Sequence, residues 1–261
     1  MVERKTLLDS LLFSLDHNPV TALLGPRQCG KTTLARSVHQ LQPIHHFDFE
    51  NPIDRTALDN PIMVLHDLTG LVVLDEIHRM PELYEIIRVL VDDQLCRVKF
   101  LVLGSSSPQI VREVSETLAG RIGFVDMSGF NLQEVSDCSW RNLWLRGGFP
   151  GSFLVVNQQS SINWREDFTR TFLERDIPLL GFRIPPEAMR KFWTMLAHYH
   201  GQKWNAAEFS RSPGKTEKTA AAYLDILCGT FMVRKLQPWY VNMKKRQAPH
   251  GRVLLWNRFF P

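Results

Sequence analysis

Cysteine is scarce in this chain and unpatterned. Its four cysteines, Cys29, Cys96, Cys138 and Cys228, show neither the close pairs of a zinc site nor the density of a disulfide-stapled domain. That predicts a cytoplasmic protein with reduced thiols. Long apolar runs are missing as well, since no stretch has the length a bilayer-spanning helix needs. The start, Met1-Val2-Glu3-Arg4-Lys5, leads into an amphipathic pattern and not into a secretory signal. No membrane partner is expected. There is no Asn/Thr-Lys-x-Asp element of the kind that reads guanine, which leaves base preference open. Acidic residues are scarce in one place only. Residues 188–261 hold 13 Lys/Arg against 3 Asp/Glu, a charge of +10, whereas residues 1–187 hold 18 against 24, a charge of −6. A basic last part joined to a mildly acidic first part predicts an acidic partner, with double-stranded DNA first among them. The hydrophobic fraction of 44% and charged fraction of 22% suit an ordinary globular chain.

What is present starts with Gly25-Pro26-Arg27-Gln28-Cys29-Gly30-Lys31-Thr32-Thr33, which fits the phosphate-loop pattern G-x-x-x-x-G-K-[ST]. The apolar run Val20-Thr21-Ala22-Leu23-Leu24 precedes it and a helical pattern follows, the context that gives the pattern meaning. Glycines let the backbone approach the phosphates, and successive N–H groups with the positive helix end hold the anion. Residues 25–33 are therefore the expected nucleotide contacts. Lys31 is expected on the β- and γ-phosphates, and the Thr32 hydroxyl on Mg²⁺. Cys29, inside this loop, reads as a filler, with a redox role as the alternative.

The second motif is Leu71-Val72-Val73-Leu74-Asp75-Glu76, a buried-strand run ending in two carboxylates. Ligands sit at the carboxyl ends of strands in open α/β sheets. Asp75 is expected to hold Mg²⁺, and Glu76 to orient and polarise the water that attacks the γ-phosphate. An Asp-Glu pair suits a hydrolase, whereas a lone Asp suits a switch or a kinase. A third run, Phe100-Leu101-Val102-Leu103-Gly104, ends in Ser105-Ser106-Ser107. Ser105 or Ser106 is expected to sense the γ-phosphate, while Ser107-Pro108 is a good helix start. Arg121, in Leu118-Ala119-Gly120-Arg121, reads either as a finger on a neighbouring subunit's nucleotide, which implies a homo-oligomer, or as a surface arginine.

Strand patterns near 20–25, 44–50, 71–76, 99–104 and 121–126 alternate with helical ones near 6–15, 31–40, 81–95 and 108–118. The expected fold class is α/β, a P-loop NTPase doubly wound parallel sheet over residues 1–130. A helical linker region is expected over 131–185, with a helix from Asp167 to Asp176 ended by Pro178. Residues 186–247 have the rhythm of a winged helix-turn-helix domain. Met189–His200 is stopped by Gly201, Asn205 caps a short helix, Ser212-Pro213-Gly214 turns, Thr216–Cys228 is the second helix, and a ribbon runs from Phe231 to Tyr240. Lys215, Lys218 and Thr219 would then meet a groove, and Lys244-Lys245-Arg246 would contact phosphates. A winged helix that makes only protein contacts is the alternative.

In order and content these motifs resemble a family of prokaryotic AAA-like ATPases with a fused winged helix and a nuclease-like C-terminal domain of unknown function. The phosphate loop, Leu74-Asp75-Glu76-Ile77-His78, Gly104-Ser105-Ser106 and Leu118-Ala119-Gly120-Arg121 carry the likeness, with Gly147-Gly148-Phe149-Pro150, Leu173-Glu174-Arg175-Asp176 and Tyr223-Leu224-Asp225-Ile226-Leu227 as its later blocks. The resemblance implies ATP binding and Mg²⁺-dependent hydrolysis. It also likens Gly148-Phe149-Pro150 to an adenine-contacting G-x-P element, for which a plain linker is the alternative. The family's chain continues past the Lys-Lys-Arg segment, so residues 248–261 are expected to be a truncated or aberrant tail, or else a short terminal strand. Two functions follow: an ATP-driven remodeller acting on DNA, or a slow ATP/ADP switch in signalling or defence whose winged helix makes protein contacts.

Overall fold

A computed structural model describes residues 2–38, 43–105, 116–135, 139–210, 216–236 and 252–255. The chain falls into two compact units, residues 1–127 and 128–261.

Unit 1 is a five-stranded, wholly parallel sheet with helices around it. Helix α1 (Lys5–His17) leads into β1 (Val20–Gly25), and α2 (Lys31–Ala35) follows the loop. Then come β2 (Ile44–Asp48), α3 (Pro52–Ala57), α4 (Pro61–His66), β3 (Thr69–Asp75), α5 (Leu83–Asp92), β4 (Arg97–Ser105) and β5 (Ile122–Asp126). The spatial order is β2-β3-β4-β1-β5. The parallel sheet and its strands agree with the sequence expectation. Most of the expected helix over 108–118 lies outside the described residues, as do residues 39 and 40 of the one expected near 31–40.

Helices α3 and α4 were not anticipated. Both start at an Asn-Pro step. Asn51 caps α3 by accepting from Ile53 N–H at 3.1 Å, and Pro52 and Pro61 occupy first-turn positions where no N–H is needed. The core explains the unbroken apolar runs. β1 and the Leu71–Asp75 part of β3 are buried along their length, with Val72, Leu74, Phe100 and Val102 packed on Leu83 and Ile87 of α5. A strand covered on both faces has no polar side to alternate with.

Unit 2 contains α6 (Trp140–Arg146), α7 (Pro150–Phe153), α8 (Gln158–Thr171), a π-helical turn (Phe172–Asp176) and α9 (Ile177–Leu179). The helical run stops at Leu179, one residue past Pro178 and close to the expected end. The π-turn precedes that stop, with Ile177 N–H bonding back to Phe172 C=O. Phe149, Phe168, Phe172 and Trp193 form a run of rings with centroids 5.0, 6.1 and 5.4 Å apart. Phe149 is buried, so its ring is a core element of this unit.

The chain continues through α10 (Pro186–His198), α11 (Ala206–Phe209), α12 (Glu217–Gly229), β6 (Val233–Leu236) and β7 (Arg252–Leu255). Gly201, at φ 78°, follows the end of α10. Asn205 caps α11 by accepting from Ala207 N–H, and Thr216 caps α12 by accepting from Thr219 N–H. In α12 the buried alanine is Ala220, and Ala221 is half-buried, because the inward stripe of a helix runs through 220, 224 and 227. β6 and β7 pair antiparallel, and Lys203 forms a further bridge to Arg252. Residues 252–255, expected as an aberrant tail or else a short terminal strand, are a strand whose Val253 is fully buried. The turn Ser212-Pro213-Gly214, Lys215, residues 237–240 of the expected ribbon, and Lys244-Lys245-Arg246 lie outside the described residues. Among the described residues, no helix is long and apolar enough to cross a membrane.

Candidate nucleotide site

β1 ends at Gly25, where a Cβ would run into the Met127 carbonyl oxygen and sit 3.2 Å from Cys29 Sγ. Only glycine fits where the chain after β5 passes this closely. The loop continues through Gln28 at φ 60° to Gly30 at φ 97°, a left-handed position that starts α2. Cys29 is buried within it, and burial pushes its thiol pKa up, which argues against a reactive thiol.

Lys31 is 7% exposed, and its Nζ donates to the carbonyls of Gly25 (3.1 Å) and Pro26 (2.9 Å). The ammonium is thereby held over the mouth of the loop. Thr32 Oγ1 donates to Asp75 Oδ2 at 2.6 Å, although the two residues are 43 positions apart. Asp75 is 7% exposed at the end of β3. A hydroxyl and a carboxylate in contact at the strand ends form the donor set a small hard cation takes, its remaining positions going to water and phosphate oxygens. This pair fits Mg²⁺.

Glu76 follows in the left-handed conformation at φ 53°. Burial is the largest influence on its carboxyl and raises its pKa, with Lys31 and Arg27 pulling the other way. β4 lies between β1 and β3, and its register sets Ser105 beside Gly25 and Leu103 beside Asp75. The Ser105 backbone thus stands between loop and acid pair. Its side chain and all of Ser106 lie outside what is described.

Arg121 stands elsewhere. It precedes Ile122, the partner of Val20 at the start of β1, and its carbonyl accepts from Val20 N–H at 3.2 Å. The length of β1, about 17 Å, separates it from the loop of its own chain. Its guanidinium holds Asp92 at 2.7 and 2.8 Å.

Three residues without an assigned role complete the site. Glu50, just past β2, accepts from Arg27 of the loop at 3.1 Å and from Arg79 at 3.2 Å, and those arginines keep its carboxyl below the usual range against the effect of burial. His78 Nδ1 lies 3.2 Å from Glu76 Oε2. Glu50 and Arg79 belong to no motif read in the sequence, and His78 closes the Leu74–His78 segment. Glu50 reaches the site because β2 lies next to β3, whereas His78 and Arg79 follow Asp75 in the turn after β3.

Residues 17–136 match the family described as AAA domain, and residues 137–256 match a domain of unknown function, DUF8612. The chain is 46% identical over 255 residues to the uncharacterized proteins Rv2008c of Mycobacterium tuberculosis and Mb2031c of Mycobacterium bovis. That match takes in 98% of this chain and 58% of each relative, so the chain spans somewhat over half the length of the curated relatives it matches. Among solved structures, the Walker-type ATPase PABY2304 of Pyrococcus abyssi superposes with a TM-score of 0.66 at 16% identity, over 98% of this chain and 94% of its own. At that identity the likeness shows a shared fold. The family match, the parallel sheet and that shared fold agree: residues 17–136 are similar to the AAA domain family and form an α/β parallel-sheet fold that carries a phosphate-loop sequence.

Proposed function

We propose that this chain binds ATP with Mg²⁺ and hydrolyses it. The observation that carries this is the 2.6 Å contact of Thr32 with Asp75, with the buried Lys31 and the desolvated Glu76 beside it. Backbone N–H groups of residues 25–33 hold the phosphates, and Lys31 neutralises their charge. Thr32 and Asp75 hold the metal ion, which when bound offsets charge on the transferring phosphoryl group. Glu76 orients the attacking water and takes up its proton. Ser105, by its register beside Gly25, senses the γ-phosphate. Arg121 acts in trans, on the nucleotide of a second copy, because its own loop is out of reach.

In unit 2 the order α10, bridge at Lys203, α11, α12, β6, β7 supports a winged helix. Lys218 is exposed in the first turn of α12, the position from which a recognition helix meets a groove. With the +10 charge of residues 188–261, this supports duplex DNA as the partner.

The test is ATP hydrolysis by the native protein and by Glu76→Gln, with and without duplex DNA. Lost turnover with retained ATP binding in the variant is the expected result, and stimulation by DNA supports the remodeller. Native protein that keeps ADP tightly and turns over negligibly would instead support the slow switch. Equal turnover in both proteins would refute the role of Glu76.

A further inference from the structure

The turn after β3 holds a pairing that the functional assignment leaves unused. Glu76 takes the left-handed conformation, φ 53° and ψ 41°, and the 3-10 turn Ile77–Arg79 brings His78 back over its carboxyl. His78 Nδ1 lies 3.2 Å from Glu76 Oε2, with the side chains 26% and 15% exposed. Both atoms are buried, neither has a hydrogen-bond partner, and their approach is off the line a hydrogen bond needs. A ring nitrogen and a carboxylate oxygen, each unsatisfied, thus face each other at hydrogen-bond distance. Buried polar groups left in that state are costly, so a rearrangement that pairs them is favoured. A left-handed non-glycine residue persists only where its surroundings enforce it, and such strain gathers at functional sites. Arg79 at the end of the same turn is tied through Glu50 to Arg27 of the phosphate loop.

We propose that His78 is a positioning residue for Glu76: its Nδ1–H holds Oε2, which leaves Oε1 to face the attacking water. The inference rests on Glu76 being the base of the hydrolysis. Burial, then Arg79 and Arg27, lower the pKa of His78 and favour the neutral ring. A neutral donor fixes one oxygen of the carboxylate without cancelling its charge, so the base stays basic while its direction is set. A cation in that position would orient Glu76 equally well and weaken it as a base.

The experiment uses the full chain and five variants. In His78→Ala, kcat falls about ten- to a hundredfold, the weight of one hydrogen bond to a charged group, while ATP affinity is unchanged. His78→Asn places an amide nitrogen where Nδ1 stood and recovers most of kcat. His78→Gln, whose amide matches the other ring nitrogen, does not. A readout independent of turnover is the tautomer of His78, followed by ¹⁵N-histidine NMR and assigned by the signal lost in His78→Asn. His78 is expected as the neutral Nδ1–H form, reverting to the commoner Nε2–H form in Glu76→Ala. An Nε2–H ring in the native chain overturns the proposal, even where turnover is too slow to follow. Equal loss of kcat in all three His78 variants with a lowered melting temperature also overturns it, by marking His78 as structural. His78→Ala at native kcat beside an inactive Glu76→Gln overturns the positioning role and leaves the base in place. Glu76→Gln at native kcat removes both.

Discussion

Thr32→Val tests the contact on which the functional assignment depends. Valine keeps the shape of threonine and removes the hydroxyl, so Asp75 loses its 2.6 Å donor while remaining 7% exposed. A hydrogen bond to a charged group contributes about 1.5–3 kcal/mol, and a buried acceptor left unpaired pays its desolvation in full. Taking about 2 kcal/mol, and about 2–4 °C per kcal/mol for a chain of this size, the melting temperature falls by about 4–8 °C. That loss is present without nucleotide, because the contact is part of the resting fold. A second loss appears with nucleotide: the Mg²⁺ concentration needed for ATP binding rises, since one metal ligand is gone. Thr32→Ser retains the hydroxyl and keeps both properties close to native. Differential scanning fluorimetry, with and without ATP across a Mg²⁺ titration, reads both effects. If Thr32→Val moved neither the resting melting temperature nor the Mg²⁺ dependence, the assignment of Thr32 and Asp75 to the metal would be wrong.

Three further outcomes are expected. Gly25→Ala drives a methyl into the Met127 carbonyl, so it destabilises by about 1–3 kcal/mol or more and abolishes ATP binding, read by thermal melting and nucleotide titration. Arg121→Ala scarcely moves the melting temperature, because its pair with Asp92 is on the surface, but it lowers turnover under conditions where copies of the chain associate; unchanged turnover there would remove the arginine finger. Cys228, pushed up to about 11 by burial and by Asp225, reacts slowly with thiol reagents at pH 8, where roughly one molecule in a thousand carries the thiolate. Its labelling rate should rise about tenfold per pH unit until about pH 11, and fast labelling at pH 8 would show that the site opens.

The loop and the acid strand were legible because their signals are local. Gly25, Gly30, Lys31 and Thr32 sit within one turn of chain, and Leu71–Asp75 announces a strand buried on both faces by its lack of alternation. Helices α3 and α4 carry a local signal as well, the two Asn-Pro steps. The π-turn before Pro178 was less accessible, since nothing local in Phe172–Asp176 distinguishes it from an ordinary helical turn.

Sequence alone determined the chemistry available: a phosphate loop, a hydroxyl and a carboxylate for a metal, a second carboxylate for water, and a basic last part. Tertiary structure decided which of these groups meet. The insertion of β4 between β1 and β3 sets Ser105 beside Gly25, and the parallel alignment of these strands brings Asp75 to Thr32. The placement of β2 against β3 brings Glu50 to Arg27 and Arg79. Parallel strands starting at one edge leave Arg121 at the far end of β1 from the loop that follows it. Residues 252–255 became a strand only through their pairing with β6. Strand pairing joins segments far apart in the chain, and no local propensity or spacing encodes which segments those are.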